Sequence, residues 1–268
     1  MEYYLGVDIG STTIKIALIN ELGKLIDKKL SPTGSRFNKN ALDSLSSLLE
    51  KHNLTQKDIL YIVSTGYGRK LFKISNENVN ELTANAKGAL NCLSNGVKIK
   101  TIINVGGQDT KVIFLDEEGK MNNFFMNDKC AAGTGKFLDI SARNLEVDVE
   151  ELEKLHFKAK DTPLPINSIC AVFAESEIIS LLAAGHSSFE IVSGIHYSIA
   201  KRIMRLANRG NIEDSVLFDG GTALNKGMVD ALENELMRQV HVNSFPQFTT
   251  AYGAALIAME RYVENDDF

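Results

Sequence analysis

"DIGSTTIK" at residues 8–15 and "NVGGQDTK" at residues 104–111 decide how this chain is read. In both, an apolar run gives way to a glycine turn and then to a second apolar run. Laid one over the other, Asp8 meets Asn104, Gly10 meets Gly106, Ser11 meets Gly107 and Lys15 meets Lys111, at a constant offset of 96 residues. Self-similarity at a fixed spacing marks a duplicated supersecondary unit.

Outward from the first copy, residues 3–8, 13–19 and 24–30 read as strands separated by turns at 10–12 and 20–23. Turns this tight imply antiparallel pairing, because a parallel crossover needs about a dozen residues or more. Leucines at 42, 45, 48 and 49 predict a helix over 40–51, and a buried strand is expected at 58–64, with a loop at 64–69. Around the second copy, strands are expected at 102–105 and 110–115. Helices follow at 136–145, 171–184, 195–207 and 222–238, with a strand at 215–218 leading into "DGGTALNKG". A short strand ended by Pro246 precedes a last helix, "TAYGAALIAMERYV". Strands interleaved with helices in this way make an α/β architecture. The natural division is 1–95 and 96–268, with the last helix a candidate to pack back onto the first half.

The bulk numbers narrow the class. The 268 residues are enough for two medium domains with real cores. With 44% hydrophobic and 24% charged residues, the chain has the composition of an ordinary globular protein. No apolar run approaches the roughly 20 residues needed to span a bilayer, and the acidic, strand-like N-terminus does not have the pattern of a secretory leader. A net charge of −5 without a basic cluster speaks against nucleic acid as a partner. Three cysteines, at 92, 130 and 170, cannot form a disulfide framework. The expectation is a cytoplasmic protein with reduced thiols, with no membrane and no nucleic-acid partner.

The glycine turns carry the first chemistry. Glycine lets backbone approach a phosphate, and successive N–H groups form an anion nest. Ser11 and Thr12 add hydroxyls, Lys15 adds a point charge, and Asp8 is suited to hold a hydrated Mg²⁺. A plain hairpin is the competing reading of one such turn. A second turn, Gly106-Gly107-Gln108-Asp109, favours a clamp on a phosphate tail, and a third, Gly220-Gly221, leaves room for a base or ribose, with Asn225 one helical turn on. Together the three turns resemble the phosphate-1, phosphate-2 and adenosine motifs of the actin, sugar-kinase and heat-shock chaperone ATPase superfamily. The resemblance covers nearly the whole chain. It implies two ribonuclease-H-like domains with ATP or ADP and Mg²⁺ in the cleft between them, and a nucleotide set of Gly10, Ser11, Thr12, Thr13, Lys15, Asn104, Gly106, Gly107, Gln108, Gly220, Gly221 and Asn225. Closure about a hinge is the expected conformational step.

"NDKCAAGTGKFLD", residues 127–139, only imitates a phosphate loop. The G-x-x-x-x-G-K-[ST] pattern has Cys130 in place of its first glycine and Phe137 after Lys136. A thiol nucleophile would want a nearby histidine base, and none of the five histidines stands in a cysteine-enzyme pattern. A buried structural cysteine is a serious alternative. "NSICAVFAESEIISLL" repeats the plan of polar residues, a cysteine and then a helix, and a helix N-terminus stabilises a thiolate. Cys130 and Cys170 supply two thiolates where a four-thiolate cluster needs four, and a two-fold dimer would supply the rest.

"NDKCAAGTGKFLD", "CAVFAESE", "GGQDTK" and "GGTALNKG" together resemble the ATPase activators of (R)-2-hydroxyacyl-CoA dehydratases, a group that includes the ATPase subunits of benzoyl-CoA reductases and the reductases of double-cubane cluster proteins. The resemblance implies a homodimer bridging one [4Fe–4S] cluster through Cys130 and Cys170, and an ATPase that drives one electron from ferredoxin or flavodoxin to a partner iron–sulfur protein. Nucleotide closure then rotates the helices after the two cysteines, and the glycines of residues 127–139 let amides crowd the cluster. Gln108, Asp109 and Asp8 are the candidates for the hydrolytic step. Cys92 has no counterpart role and reads as structural. Two departures stand out: Asn104, where such proteins usually carry Asp, and Asn85, where they often carry His.

The energy scale fits. For one electron about 59 mV corresponds to roughly 1.4 kcal/mol. An electron made about 300 mV more reducing needs roughly 7 kcal/mol, beyond an allosteric coupling of roughly 1–3 kcal/mol. The rivals are a small-molecule kinase on the same fold and a nucleotide-gated scaffold whose cysteines bind Zn²⁺ or nothing.

Overall fold

A computed structural model describes residues 2–93, 96–128, 131–159, 163–166 and 171–266. The chain forms two compact units, Met1–Val97 with Gln247–Phe268, and Lys98–Pro246. A division at 95/96 assigns the last 22 residues to the second half; in the fold they complete the first.

The first unit is built on β1 (Tyr3–Ile9), β2 (Thr13–Asn20), β3 (Leu25–Pro32), β4 (Ile59–Thr65) and β5 (Glu77–Asn78), in the sheet order β3-β2-β1-β4-β5. β1 is almost wholly buried, as its unbroken apolar run requires of a strand covered on both faces. The helices are α1 (Phe37–Lys51), α2 (Glu81–Asn91) and, from the chain's end, the helix Thr249–Asp266. α1 lays Ala41, Leu45, Leu48 and Leu49 against the strands.

Three glycines explain why the last helix belongs here. A Cβ on Gly253 would lie 1.8 Å from the Ala84 carbonyl oxygen of α2, and one on Gly88 2.0 Å from that of Thr249. On Gly6 of β1 it would lie 2.0 Å from the Ala251 oxygen. Backbone thus meets backbone at all three places, and the Asn85 amide donates to Thr250 Oγ1 at 3.1 Å beside them. Gly253→Ala must push α2 and the last helix apart, and it should lower stability by about 3 kcal/mol, a fall in thermal midpoint of about 6–12 °C. An unchanged melting curve would contradict this close crossing.

The second unit repeats the plan. β6 (Thr101–Val105), β7 (Thr110–Leu115), β8 (Met121–Asn127), β9 (Val216–Asp219) and β10 (Val240–His241) form a sheet in the order β10-β9-β6-β7-β8. β6 stands where β1 stands, antiparallel to one neighbour and parallel to the other. The duplication extends to register: Asp8 faces Lys15 across β1 and β2, and Asn104 faces Lys111 across β6 and β7. The helices are α3 (Gly135–Asn144), α4 (Glu151–His156), α5 (Ala171–Ala183), α6 (Ser188–Ala207) and α7 (Lys226–Leu236); the closing helix Thr249–Asp266 is α8. Ile195, Ile199 and Ile203 of α6 pack in one core with Ile103, Val112 and Phe218.

Several expected boundaries move. α6 begins seven residues before residue 195, because Ser187 and Glu190 form a capping box that satisfies its first amides. The helix expected over 222–238 is split: a 3-10 turn, Gly221–Leu224, precedes α7, and Asn225 caps α7. Pro246 opens a short 3-10 turn, and the preceding strand is limited to Val240–His241.

Candidate functional site

The first glycine turn joins β1 to β2. The Gly10 amide donates to the Thr13 carbonyl at 3.1 Å, and Thr33 Oγ1 donates to the Gly10 carbonyl at 2.8 Å. Ser11 and Thr12 are exposed at its tip. Asp8, buried at the end of β1, accepts from Lys15 Nζ at 3.1 Å. Gly66, in the loop after β4, presses close to the same carboxylate. Its φ is +82°, and a Cβ there would lie 2.5 Å from Asp8 Oδ1. The "TGYG" loop therefore shapes the Asp8 environment, and its glycines are what allow so close an approach.

The second turn joins β6 to β7 and closes with the Gly106 amide donating to the Asp109 carbonyl at 2.9 Å. Gln108 is exposed; Asp109 is buried and accepts from Lys111 Nζ at 2.7 Å. The repeat is thus preserved in chemistry but not in position. Lys15 is neutralised by the residue opposite it, whereas Lys111 is neutralised from within its own turn. Asn104 is free for another partner, and its amide donates to Asp219 Oδ1, in register on β9, at 2.7 Å. Asp219 is fully buried. Two carboxylates side by side there would repel in a low-dielectric interior, and a carboxamide donates instead. Asn104 is therefore the residue this pairing calls for.

The third turn follows β9. Gly220 has a φ of +91°, and a Cβ there would lie 2.2 Å from the Val105 carbonyl oxygen, so only glycine fits. Thr222 Oγ1 donates to the same carbonyl at 3.2 Å, joining the third turn to the end of β6. Asn225 then caps α7 by accepting from the Met228 amide at 3.2 Å.

The segment after Cys130 is stitched to the second turn. The Gly135 amide donates to the Gly106 carbonyl at 2.9 Å and the Lys136 amide to that of Gly107 at 3.0 Å. Thr134 Oγ1 lies 3.1 Å from the Gly107 carbonyl and 2.8 Å from that of Ala131, and Thr110 Oγ1 donates to the Gly133 carbonyl. The amides of Gly135 and Lys136 are therefore committed to the turn, not to an anion or a cluster. Cys130 and Cys170 lie outside the described residues. Among the described residues, no group of three or more His, Cys, Asp and Glu is placed to hold a metal ion, and no helix is long and apolar enough to cross a membrane. Cys92 is half-buried and donates to the Ala89 carbonyl at 3.3 Å at the end of α2.

One cluster had no local sequence signal. His196 of α6 and His156 of α4, both buried, face each other with Nδ1 atoms 3.0 Å apart. Burial, with the charge of His156 adding to it, pushes His196 down to about 3. The fold thus holds a neutral ring whose unfolded value is about 6.5. Its contribution is complete above pH 6.5 and falls as the pH drops, because the unfolded chain takes a proton that the folded one refuses. At pH 5 the loss should reach roughly 2 kcal/mol. Urea titrations at pH 7.5 and 5.0 would test this, since His196→Gln should remove that part of the acid sensitivity. Equal acid sensitivity in the two proteins would contradict it.

The family model for BadF/BadG/BcrA/BcrD ATPases matches residues 5–258. The chain belongs to that family. It is accordingly an ATPase with the actin-like fold. An activator of lactoyl-CoA dehydratase from Anaerotignum propionicum is 43% identical over 260 residues, spanning 96% of this chain and 98% of its own. The crystal structure of component A of the Acidaminococcus fermentans (R)-2-hydroxyglutaryl-CoA dehydratase superposes with a TM-score of 0.91 at 40% identity, covering 98% of this chain and all of that one. The activator of the 2-hydroxyisocaproyl-CoA dehydratase from Clostridium difficile, solved with bound ADPNP, gives 0.92 at 39% identity, covering 99% and 97%. Members of this family therefore share both units of the fold with this chain.

Proposed function

We propose that this protein is an ATP-dependent activator of an (R)-2-hydroxyacyl-CoA dehydratase. In this reading it passes one electron from ferredoxin or flavodoxin through a [4Fe–4S] cluster bridging two copies of the chain in the cytoplasm. The observation that carries it is the set of hydrogen bonds from Thr134, Gly135 and Lys136 to the carbonyls of Gly106 and Gly107. A turn suited to phosphate and the segment that follows Cys130 share backbone contacts, so one cannot shift without the other. The names of the dehydratase activators among its relatives support the same reading.

The residues then divide as follows. Gly10–Thr13 and Lys15 of the first unit, and Gly106–Gln108 of the second, take the phosphates. Gly220, Gly221 and Asn225 take the adenosine, and Asn104, through its link to Asp219, fixes the base of the second turn. Asp8 is buried and paired with the Lys15 ammonium, which fits a carboxylate that binds Mg²⁺ through water. Gln108, exposed on the turn, and Asp109 beside it orient the attacking water. Cys130 and Cys170 of each copy supply the four thiolates of the cluster, whose chemistry is to store one electron and release it at low potential. The helix after Cys170 suits a dimer contact: Phe173, Ile179 and Leu182 of α5 are exposed, Phe173 to 70%.

An anaerobic activation assay tests the whole reading. Reduced ferredoxin, ATP and Mg²⁺ are combined with this protein, an (R)-2-hydroxyacyl-CoA dehydratase and its substrate. Enoyl-CoA should form only when ATP and reductant are both present. ATP-dependent reduction of a double-cubane protein or of a benzoyl-CoA reductase, with no dehydratase activation, would replace the partner. ATP-dependent phosphorylation of a small molecule, with no electron transfer, would refute the reading.

A further inference from the structure

Four side chains of the second unit form a line of hydrogen bonds: Asp230, His156, His196 and Asn225. His156 Nε2 lies 3.1 Å from Asp230 Oδ2, the two Nδ1 atoms are 3.0 Å apart, and His196 Nε2 lies 3.3 Å from Asn225 Nδ2. The ends of the line fix its middle. Asn225 Oδ1 is taken by the Met228 amide at 3.2 Å, so its nitrogen is the atom that faces His196. That nitrogen only donates, so His196 Nε2 accepts and His196 Nδ1 carries the hydrogen. His196 Nδ1 donates to His156 Nδ1, and His156 Nε2–H therefore donates to Asp230, a carboxylate that only accepts. One arrangement of protons satisfies all three contacts, and it needs both rings neutral.

The surroundings hold that arrangement. Gly227 has no room for a side chain, since a Cβ would lie 2.7 Å from His156 Cγ and 2.9 Å from His196 Nδ1. Tyr197 stacks on His156 at 6.1 Å and Phe157 meets it edge-on at 5.0 Å. Asn234 donates to both Asp230 and the Tyr197 hydroxyl. Asp230 is thus the only carboxylate with a hydrogen bond to either ring among the described residues.

We propose that His196 and His156 are positioning residues for the nucleotide. By locking the flip of the Asn225 carboxamide, they make it present its remaining N–H, a donor, to an acceptor atom of the adenine or ribose. The proposal rests on the assignment of the third glycine turn to adenosine. A protonated or reoriented ring would turn the carboxamide over, withdraw the donor and uncap α7.

Two substitutions of similar size separate this from plain packing. His196→Gln places an acceptor where Nε2 stood and keeps the contact to Asn225. His196→Asn reaches only the Nδ1 position and loses it. With ADP as the probe on the full-length protein, His196→Gln should bind within about threefold of wild type and His196→Asn about tenfold more weakly. Nitrogen-15 spectra of the wild-type histidines should show His196 protonated on Nδ1 and His156 on Nε2. Equal ADP affinity in the two variants, or the opposite tautomers in wild type, would overturn the proposal, and the spectra decide it even where a variant fails to fold. Asn225→Ala separates the two levels. If it binds ADP normally, the adenosine assignment fails and takes the proposal with it. If it binds weakly while His196→Asn does not, the relay alone is wrong.

Discussion

Cys130→Ser and Cys170→Ser should each strip the protein of its iron, from about four atoms per two chains to almost none. A thiolate is a soft anionic ligand, and its charge offsets that of the iron. A serine hydroxyl is hard, neutral at working pH and far weaker as a ligand. In a homodimer each substitution acts twice, removing two of four ligands. ATP binding should persist, because the glycine turns proposed for the phosphates are closed by backbone hydrogen bonds, Gly10 to Thr13 and Gly106 to Asp109. Cys92→Ser is the control. Its thiol donates to the Ala89 carbonyl in the first unit, and the variant should keep its iron. Iron and sulfide analysis with visible spectra checks all three. A full complement of iron in either of the first two variants would show that the cluster lies elsewhere.

Asp8→Asn should lower ATP turnover at saturating nucleotide on the order of 100-fold, with a smaller effect on binding. The carboxamide has the size of the carboxylate but no charge, so it cannot help to neutralise a metal ion. It also leaves the Lys15 ammonium, 3.1 Å away, without its partner. Asp109 would be a poorer probe. Its partner Lys111 is almost completely buried, and taking the charge from one side of a buried ion pair would cost stability as well, mixing folding with catalysis. Lys15 keeps more access to solvent, so Asp8→Asn isolates the chemistry. A phosphate-release assay with melting curves decides the matter, and normal turnover would rule out the proposed metal role of Asp8.

The sequence made the glycine turns and the duplication readable because both are local. A strand, a glycine and a strand leave their mark within eight residues, and the two copies kept the same register of Asp8 with Lys15 and Asn104 with Lys111. α2 gave no such sign. "ELTANAKGALN" has few large apolar residues because its packing is made by Gly88 and the alanines against α8, so the usual stripe is missing. The start of α6 is marked by Ser187 and Glu190, a capping signal that apolar periodicity does not carry. β8 is an edge strand with most of its residues open to solvent, and it shows no clean alternation. Other features depend on distance along the chain. Asn104 looks like a lost charge until Asp219, 115 residues on, is found beside it. The two histidines are 40 residues apart and on different helices, so no local pattern could join them.

In the proposed function, two chains share one [4Fe–4S] centre through Cys130 and Cys170. The most direct measurement is iron and acid-labile sulfide per chain in anaerobically reconstituted protein, with the mass of the assembly determined on the same sample. The expected result is a brown, oxygen-sensitive dimer with about four irons and four sulfides per two chains. A colourless protein, or a monomer that carries its own complete cluster, would contradict it.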